Sequence, residues 1–596
     1  MRHRFESLVD MQSRACTLFA GSRLFGVKSG GAYAWSTYDA FGHDVDGFRG
    51  ALSALGVSEG DRVALIADNS VSWAITAFAT YGLGAVLVPV TPTLPEGEIA
   101  FVLRHSGAKV VVAGTEALRD VIVDMADLPN VEHVLGLAAS DRAHAFAAHL
   151  VRGHDIDAPR LRRRGDDPAT ILYTSGTTGT PKGVVLSHGN IISNVNAVHQ
   201  VHDIHPEDVS CAFLPWAHAF GQTCELFCMM SAGASIGLTD DVHSLPDDLQ
   251  AVRPTILFAV PQVWNQIHAR LQSKLADATA AKRAMFERAL SVARRRREAE
   301  AKGERSLRLD AEYALYASLL FDEVREHFGG RLRYALSGGA ALSHDVAQLI
   351  EDIGIDMYEG YGLTETAPIV TTNTPDAKRL GTVGRAIPGV DVFICDASGA
   401  LLPPGQEGEI VVVGPNVMLG YHNDEEATDA VIFELDGLRA FRTGDLGTQS
   451  PAGFVTLTGR RKEQYKLADG TFVVPTPIEQ RLEMSPLIVQ AFVYGENRRA
   501  SVALLVPDYE ALGAWARAEG HDVTESVDVV EHPAVQAKMS EAVAACFEGW
   551  NGAVPQGWVM LAEPFSIERG ELTPKHSLKR ARIVERHLDL LDSLYA

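Results

Sequence analysis

Short apolar runs alternate with helix-like amphipathic stretches through the N-terminal half of the chain. Each apolar run has the length of a strand and ends in Gly, Pro or a helical pattern. This alternation predicts an α/β architecture. The predicted strands are Asp61–Ala67, Ala85–Pro89, Lys109–Ala113, Ile256–Ala259 and Tyr334–Leu336, and Trp73–Tyr81 is a predicted helix.

Later segments follow other patterns. Lys274–Gly303 is rich in Ala, Arg, Glu and Lys and predicts one long solvated helix. Its basic run Arg294–Arg297 is interpreted as a solvated helical face, with a membrane-surface patch as the alternative. Short strands separated by turns predict a β subdomain at about residues 381–461. A small α+β unit follows and ends in an amphipathic helix near Ala581–Leu594. The predicted strands of the β subdomain are Val390–Cys395, Gly408–Val413 and Gly453–Thr458.

Chain length, net charge and cysteine content limit the number of domains, the partners and the compartment that we expect. A chain of 596 residues is too long for one core, so several domains are expected. The formal net charge of -23 disfavours nucleic acid as a partner. The six cysteines show no metal-ligand spacing, Cys224 and Cys228 are interpreted as helix core, and reduced thiols fit a cytoplasmic protein. We expect neither a secretory signal nor a membrane span.

The strongest candidate for chemistry is a run made only of Ser, Thr and Gly, Thr174–Thr180, followed by Pro181, Lys182 and Gly183. Hydroxyls can donate to phosphate oxygens, and glycines let backbone N–H groups approach an anion closely. Lys182 adds a positive charge. The pattern predicts a polyphosphate-binding loop that differs from the Walker type. Its candidate phosphate-binding residues are Thr174, Ser175, Gly176, Thr177, Thr178, Gly179 and Lys182.

Together with Tyr361-Gly362-Leu363-Thr364-Glu365, this loop resembles the signatures of the adenylate-forming superfamily. That superfamily includes acyl-CoA synthetases, luciferases and the adenylation domains of peptide synthetases. The resemblance runs from about residue 30 to the last helix. It implies a large N-terminal AMP-binding domain, residues 1–461, and a small, mobile α+β C-terminal domain, residues 462–596. The implied cofactors are ATP or its AMP moiety, Mg²⁺ and coenzyme A.

The resemblance also assigns roles to residues around the nucleotide. Tyr361 would stack on adenine, Thr364 would touch the α-phosphate, and Glu365 with Thr364 would hold Mg²⁺. An ion that prefers few carboxylates plus phosphate oxygens fits this assignment. The backbone that would border adenine is rich in small residues and comprises Ser337, Gly338, Gly339, Ala340, Glu359, Gly360 and Gly362.

Five further residues follow from the same resemblance. His218 would lie beside the substrate carboxylate. Asp445 would accept both ribose hydroxyls, a task that suits a carboxylate, and Arg460 would contact the nucleotide. Lys462 would be the hinge about which the small domain rotates between two half-reactions. Gly470 would border the pantetheine tunnel after that rotation.

Within the superfamily, the chain looks most like the long-chain acyl-CoA synthetases. Their tail usually reads Glu-Leu-Thr-Pro-Thr-x-Lys-Leu/Val-Lys-Arg, whereas Glu571 to Arg580 reads Glu-Leu-Thr-Pro-Lys-His-Ser-Leu-Lys-Arg. Ser577 therefore stands at the position of a catalytic lysine. In the family that lysine assists attack of the carboxylate on ATP, and loss of one such group costs on the order of 10²–10³ in rate. Thioester formation from acyl-adenylate and CoA does not need it.

Three interpretations remain open. Lys575 or Lys579 substitutes after a shift of about 6–7 Å, adenylation is merely slow, or the chain is a non-adenylating acyl-CoA ligase. The last type occurs in natural-product biosynthesis, where a separate enzyme makes the adenylate. We expect a hydrophobic acid and CoA as substrates. The alternatives are a complete ATP-dependent long-chain fatty acyl-CoA synthetase, an enzyme that loads a carrier protein, and an adenylate-binding protein without catalysis.

Overall fold

The computed structural model describes residues 5–139, 141, 143–174, 181–239, 244–276, 278–523, 525–550, 552–573 and 577–595. Six sheets and their helices build the predicted α/β fold. Strands and helices mostly lie where the apolar patterns place them. Within the described residues, no helix is both long and apolar enough to cross a bilayer. All six cysteines are free thiols, and Cys224 and Cys228 are buried in helical segments as predicted.

The largest sheet has seven strands, and two of them flank the candidate phosphate-binding run. Five of its strands run parallel, and Pro168–Thr174 is one of them. Lys182–Ser187 pairs with Pro168–Thr174 in the antiparallel direction. Val86–Val90 is buried at every position, as expected of a parallel strand covered on both faces. In spatial order the strands are Gly420–Tyr421, Lys182–Ser187, Pro168–Thr174, Val86–Val90, Arg62–Ile66, Val110–Ala113 and His133–Gly136.

Helices cover both faces of this sheet. The predicted helix at Trp73–Tyr81 spans Val71–Gly82, because the Ser70 side chain accepts from the Trp73 N–H and begins it earlier. The helices of this region are Leu8–Leu18, Tyr38–Ala54, Val71–Gly82, Glu96–Ser106, Glu116–Asp124, Phe146–Gly153 and His188–Val201.

Two further sheets form the second α/β unit. One contains Ala32–Thr37, Arg23–Ser29, Ser235–Leu238 and Val209–Ala212, and the other contains Ile256–Ala259, Tyr334–Ser337, Asp356–Gly362, Ile369–Thr372 and Arg385–Ala386. The Thr255 N–H donates to the Val209 carbonyl and joins them. The helices here are Cys228–Ala232, Leu245–Val252, Pro261–Ala276, Ala280–Ala301, Leu307–Tyr316, Asp322–Glu326 and His344–Asp352, with π-helical turns at Phe220–Phe227 and Ala317–Phe321.

The prediction of one helix across Lys274–Gly303 is wrong. One helix ends at Ala276 and a second begins at Ala280, because the Thr279 hydroxyl accepts from the Lys282 N–H and caps the second helix. The basic run on that second helix lies partly in solvent, with Arg294 and Arg295 exposed, and three of its four arginines also form ion pairs. Arg294 and Arg297 contact the buried carboxylate of Asp352. Arg296 pairs with Glu300 and Asp310.

The predicted β subdomain is an antiparallel sheet of Asp391–Cys395, Gly408–Val413, Leu438–Gln449, Ile432–Leu435 and Val455–Arg460, with the short helix Glu425–Asp429. Its last strand lies two residues later than predicted. The short strand Arg385–Ala386 falls inside the predicted range but pairs with Ile369–Thr372.

The C-terminal α+β unit has its own hydrophobic cores, built around Leu482, Leu505 and Met539 and around Phe492, Leu504 and Ile583. Its strands are Tyr465–Lys466, Phe472–Val473, Ile488–Tyr494, Val502–Pro507 and Gly557–Met560. Its helices are Pro475–Glu483, Tyr509–Ala518, Ser526–Glu531, Pro533–Cys546 and Arg580–Ser593.

Candidate active site

Thr174 and Lys182 are the two ends of the candidate phosphate-binding run that the structure describes. They are directly opposite each other in the antiparallel pair of strands Pro168–Thr174 and Lys182–Ser187, so they lie at the same end of these strands. The second strand leads into helix His188–Val201, which begins with a capping box between Ser187 and Asn190. The other predicted loop residues, Ser175, Gly176, Thr177, Thr178 and Gly179, lie outside the described residues.

Tyr421 links the loop lysine to the predicted metal-binding carboxylate. The Lys182 ammonium lies 4.7 Å from the centre of the Tyr421 ring. The Tyr421 hydroxyl donates to Glu365 Oε1 at 2.9 Å. Burial, followed by the Glu365 carboxylate, raises the pKa of Tyr421 well above its usual range, so the hydroxyl remains a donor. The sequence motifs did not identify Tyr421, because it lies far along the chain on a short edge strand.

Thr364 and Glu365 occupy a single turn of 3₁₀-helix after strand Asp356–Gly362. The Thr366 hydroxyl donates to the Pro368 carbonyl at 2.6 Å and fixes this turn. Gly362 allows the close approach that the turn requires, since a Cβ there would lie 1.9 Å from the Pro368 oxygen. The turn thereby holds Thr364 and Glu365 near Tyr421.

Asp445 is the centre of a second polar cluster. The Tyr361 hydroxyl donates to Asp445 Oδ2 at 2.7 Å, and Arg460 Nε lies 2.8 Å from Oδ1. Burial raises the pKa of Asp445, although the Arg460 charge and the Tyr361 hydroxyl act to lower it. Arg460 in turn has a raised pKa, mainly because of the Asp445 charge. Three residues from separate motifs are thus brought together in a geometry that can orient a diol.

A third cluster lines the loop predicted to border adenine. Burial raises the pKa of Glu359 to about 7, although backbone N–H groups that include that of Leu342 act to lower it. Glu359 Oε1 accepts from Leu342, whereas Oε2 and the buried Ser337 hydroxyl have no partner among the described residues. Buried donors and acceptors without a partner could pair with the polar edge of a purine. Gly339, at φ +86°, turns the loop, and Ala340 is exposed.

His218 lies between the phosphate and adenine sides. Its Nε2 is 3.5 Å from the Thr91 hydroxyl, at the carboxyl end of strand Val86–Val90. Two residues later, the Phe220 ring packs on Gly338, where a Cβ would lie 3.3 Å from the ring. The segment from His218 to Phe220 thus lies between the end of strand Val86–Val90 and the loop that contains Gly338.

Comparison with known proteins identifies the family. The AMP-binding enzyme family matches residues 16–422, and the AMP-binding enzyme C-terminal domain matches residues 462–596. The chain belongs to the AMP-binding enzyme family. Within this adenylate-forming superfamily it is of the long-chain acyl-CoA synthetase type, as its relatives show.

Two curated relatives and one solved structure illustrate the similarity. The long-chain-fatty-acid–CoA ligase FadD15 of Mycobacterium bovis is 32% identical over 558 residues, which cover 91% of this chain and 89% of the relative. The peroxisomal long chain acyl-CoA synthetase 7 of Arabidopsis thaliana is 29% identical over 602 aligned residues, covering 97% and 84%. The adenylation domain of a carboxylate reductase from Mycobacterium chelonae has the same fold, with a TM-score of 0.80 at 22% identity, over 99% of this chain and 91% of that one.

The C-terminal domain of this AMP-binding enzyme contacts the large domain near the candidate site. Lys579 Nζ lies 3.2 Å from Glu98 Oε1. The Gln480 side chain donates to the Ala341 carbonyl at 3.3 Å, and the Ser343 hydroxyl contacts Met484 Sδ at 3.4 Å. Lys462 is exposed just after Arg460, and Gly470, at φ +90°, forms the exposed turn of hairpin 465–473.

Ser577 pairs with Thr573 shortly before the final helix. The Thr573 N–H donates to the Ser577 carbonyl at 2.8 Å, and the Ser577 N–H donates to the Thr573 hydroxyl at 3.1 Å. Leu572 and Leu578 pair beyond them. Lys575 lies outside the described residues.

Proposed function

We propose that this chain is a hydrophobic-acid acyl-CoA ligase that forms a thioester from an acyl-adenylate and CoA, with adenylation lost or strongly slowed. The observation that carries the proposal is Ser577, which stands where the family tail places its adenylating lysine. A hydroxyl cannot supply the positive charge that stabilises the charge developing on phosphorus. Thioester formation uses a thiol nucleophile and an activated acyl group, so it does not depend on that charge.

The residues that follow Ser577 support the proposed loss of adenylation. Lys579 is paired with Glu98, and Arg580 makes two contacts with the buried Glu479 carboxylate. Either side chain would have to break an ion pair to replace the lysine. It would also have to act from a displaced position, and misplacement by about 1 Å can already cost about 10²-fold in rate.

The residues expected to contact the adenylate support retention of thioester formation. Lys182 and Thr174 would hold the α-phosphate, Tyr361 and Glu359 would hold the purine, and Asp445 with Arg460 would hold the ribose. Glu365 with Thr364 would hold Mg²⁺ when ATP is present. One carboxylate is enough for that ion, because it takes most of its ligands from phosphate and water. The ion would supply charge neutralisation to the phosphates.

We further infer the arrangement of the two domains. Residues 462–596 would rotate about Lys462, and the hairpin with Gly470 would then face the pantetheine arm of CoA. We infer that the arrangement described above corresponds to the adenylating one, because Lys579, two residues after Ser577, contacts Glu98 on helix Glu96–Ser106, which follows strand Val86–Val90. The long-chain relatives favour a hydrophobic acid, and six free cysteines favour the cytoplasm.

The decisive test compares two starting materials. Purified protein and CoA are given either a hydrophobic acid with ATP and Mg²⁺ or the matching synthetic acyl-AMP, and thioester is followed by mass spectrometry. We expect thioester from acyl-AMP and at least about 10²-fold less from acid plus ATP. Equal rates would contradict the proposal. A separate adenylating enzyme added to the acid and ATP should restore full turnover.

A matched pair of variants tests the role of position 577. Ser577→Lys should raise ATP–pyrophosphate exchange by about 10²-fold, because it restores the missing charge. Ser577→Ala should leave both exchange and thioester formation unchanged. If Ser577→Lys has no effect on exchange, the assignment of this position is wrong.

A complete ATP-dependent long-chain fatty acyl-CoA synthetase is the second candidate. It is favoured by FadD15, a ligase that is 32% identical over most of both chains. Rapid thioester formation from acid plus ATP would establish it. If neither starting material gives acyl-CoA, a carrier-protein thiol should be offered in place of CoA. Binding of adenylate without any transfer would indicate a protein that has lost catalysis.

A further inference from the structure

A buried polar face lies behind His218 and is not used by the adenylate contacts. It consists of Gln222 and Glu225 on the π-helical segment Phe220–Phe227, together with Ser210 on strand Val209–Ala212. All three residues are 0% exposed. Their side-chain polar atoms have no hydrogen-bond partner among the described residues. These atoms are the amide nitrogen and oxygen of Gln222, both carboxylate oxygens of Glu225 and the Ser210 hydroxyl.

Such a cluster is unusual in a folded interior. More than nine in ten buried polar groups are hydrogen-bonded, and each one left unpaired is destabilising. Gln222 and Glu225 are three residues apart, so they lie on the same side of their helix. The segment also has the wider π-type hydrogen bonding that is frequent at functional sites. These features together indicate a face that is built to bind something.

The position of the segment indicates what reaches it. Phe220 at its start packs on Gly338 of the loop predicted to border adenine, and His218 just before it contacts Thr91 at the carboxyl end of strand Val86–Val90. An acyl group attached to the α-phosphate would leave the nucleotide between these two walls. The polar face lies one turn further along the same segment.

We propose that Gln222, Glu225 and Ser210 bind a neutral oxygen function, a hydroxyl or a ketone, on an otherwise hydrophobic acyl group. This inference rests on the proposed function only in requiring that the chain binds acyl-adenylate. The neighbouring residues are apolar: Cys224, Leu226 and Phe227 are buried on the same segment, and Cys228 is buried at the start of the next helix. A plain alkyl chain would leave the polar atoms unpaired, whereas an oxygen function would pair with them.

The charges around the face favour a neutral ligand. Burial raises the pKa of Glu225 to about 8, and the Ser210 hydroxyl lowers it in part without forming a hydrogen bond of normal geometry. Among the described residues, the other titratable groups that interact with Glu225 are the buried thiols of Cys211 and Cys224, whose pKa values are raised. The protonated carboxyl can donate one hydrogen bond, and the amide of Gln222 can donate and accept.

The face is closed in this structure, so the acyl group must displace its side chains. Opening is favoured because the polar atoms of Gln222, Glu225 and Ser210 have no partner among the described residues in the closed arrangement. Rotating Gln222 or Glu225 breaks no hydrogen bond within the described residues. A ligand that pairs these atoms therefore stabilises the open arrangement relative to the closed one.

The test uses non-hydrolysable acyl-sulfamoyladenosines, so it requires neither half-reaction. Isothermal titration calorimetry compares the dodecanoyl analogue with hydroxy- and oxo-dodecanoyl analogues substituted at mid-chain and terminal positions. We expect at least one oxygenated analogue to bind about tenfold or more tightly than the unsubstituted one, because a site built for hydrogen bonds discriminates strongly against a ligand that lacks them.

Two variants locate the effect. Gln222→Leu and Glu225→Leu should abolish the preference while leaving the affinity for the unsubstituted analogue within about twofold, and both should raise the melting temperature. Ser231→Ala is the matched control: Ser231 is buried on the next helix, but its hydroxyl is bonded to Cys228 and His199. If a leucine variant does not fold, Gln222→Met and Glu225→Gln replace it, and the preference should weaken in each.

Three outcomes would overturn the proposal. All analogues bind alike, or the preference survives in both leucine variants, or an amino-dodecanoyl analogue binds more tightly than every oxygenated one. If the leucine variants have a higher melting temperature but an unchanged selectivity, the unpaired atoms are only a packing defect of the wild type. That outcome also counts against a binding site. If even the unsubstituted analogue fails to bind, the proposed function fails instead.

Discussion

At the scale of single residues, Tyr421 connects two groups that separate motifs identify. Its ring supports the Lys182 ammonium and its hydroxyl orients Glu365. We predict that Tyr421→Phe weakens Mg²⁺-dependent ATP binding by about tenfold, as is typical when a partner of a metal ligand is removed. Tyr421→Leu should weaken it further, because the cation–π contact is lost as well. Calorimetric titration of ATP at several Mg²⁺ concentrations measures both, and an unchanged Mg²⁺ dependence would contradict the assignment.

Glu359 should make stability depend on pH. Its pKa rises from an ordinary 4.5 to about 7 on burial, so between these values the folded protein keeps a proton that the unfolded chain has lost. Its contribution to the free energy of unfolding therefore falls as pH rises from about 4.5 to about 7 and stays low above that. Glu359→Gln should match the wild type in melting temperature near pH 4.5 and exceed it at pH 8. Parallel melting curves at both pH values would refute this.

The residues of the tail show what sequence can and cannot predict. The family tail motif identified Ser577 as a departure from the usual lysine, because the residues on both sides of it align with the motif without a gap. It also offered Lys575 or Lys579 as a substitute for the lost charge. Only the structure shows that Lys579 is paired with Glu98 and Arg580 with Glu479, since ion pairs between distant segments leave no local pattern.

At the scale of elements, the final helix is fastened to the C-terminal domain through a buried ion pair. Arg580 contacts both oxygens of Glu479, a residue that also accepts from the Val493 N–H. Arg580→Ala should destabilise the domain by about 3–5 kcal/mol, because it leaves a buried carboxylate without its countercharge. The control Arg582→Ala breaks only the exposed pair with Glu585 and should change stability by at most about 0.5–1 kcal/mol. Urea unfolding measures the difference, and equal effects would contradict this role.

Element prediction succeeded where a pattern is local and failed where it is not. The buried strands Val86–Val90 and Ile256–Ala259 follow directly from apolar runs. The break before Ala280 depends on a single capping hydroxyl, and the π-helical turn at Phe220–Phe227 depends on tertiary packing. Of the site, the motifs identified Asp445, Arg460 and Tyr361 separately, but only the fold brings them together.

At the scale of the whole molecule, polar contacts join the two domains within the part of the chain that the structure describes. Lys579 with Glu98 and Gln480 with the Ala341 carbonyl join surfaces that lie far apart in the chain. Interfaces of this kind permit relative domain motion. Two domains with separate cores that are joined by polar contacts are therefore suited to the rotation that we propose about Lys462.

The Lys579–Glu98 pair should slow departure from the arrangement described here. A partly exposed pair contributes up to about 1 kcal/mol, which is a factor of about five in population. If thioester formation requires rotation away from this arrangement, Lys579→Ala and Glu98→Gln should each raise the rate from acyl-AMP and CoA by up to about fivefold. The double variant should gain no more than either single variant, because both remove the same interaction. Added salt should speed the wild type toward the variants. Lys538→Ala, which breaks an exposed pair inside the C-terminal domain, should leave the rate unchanged. A slower reaction in the two single variants would mean that the pair holds the thioester-forming arrangement instead.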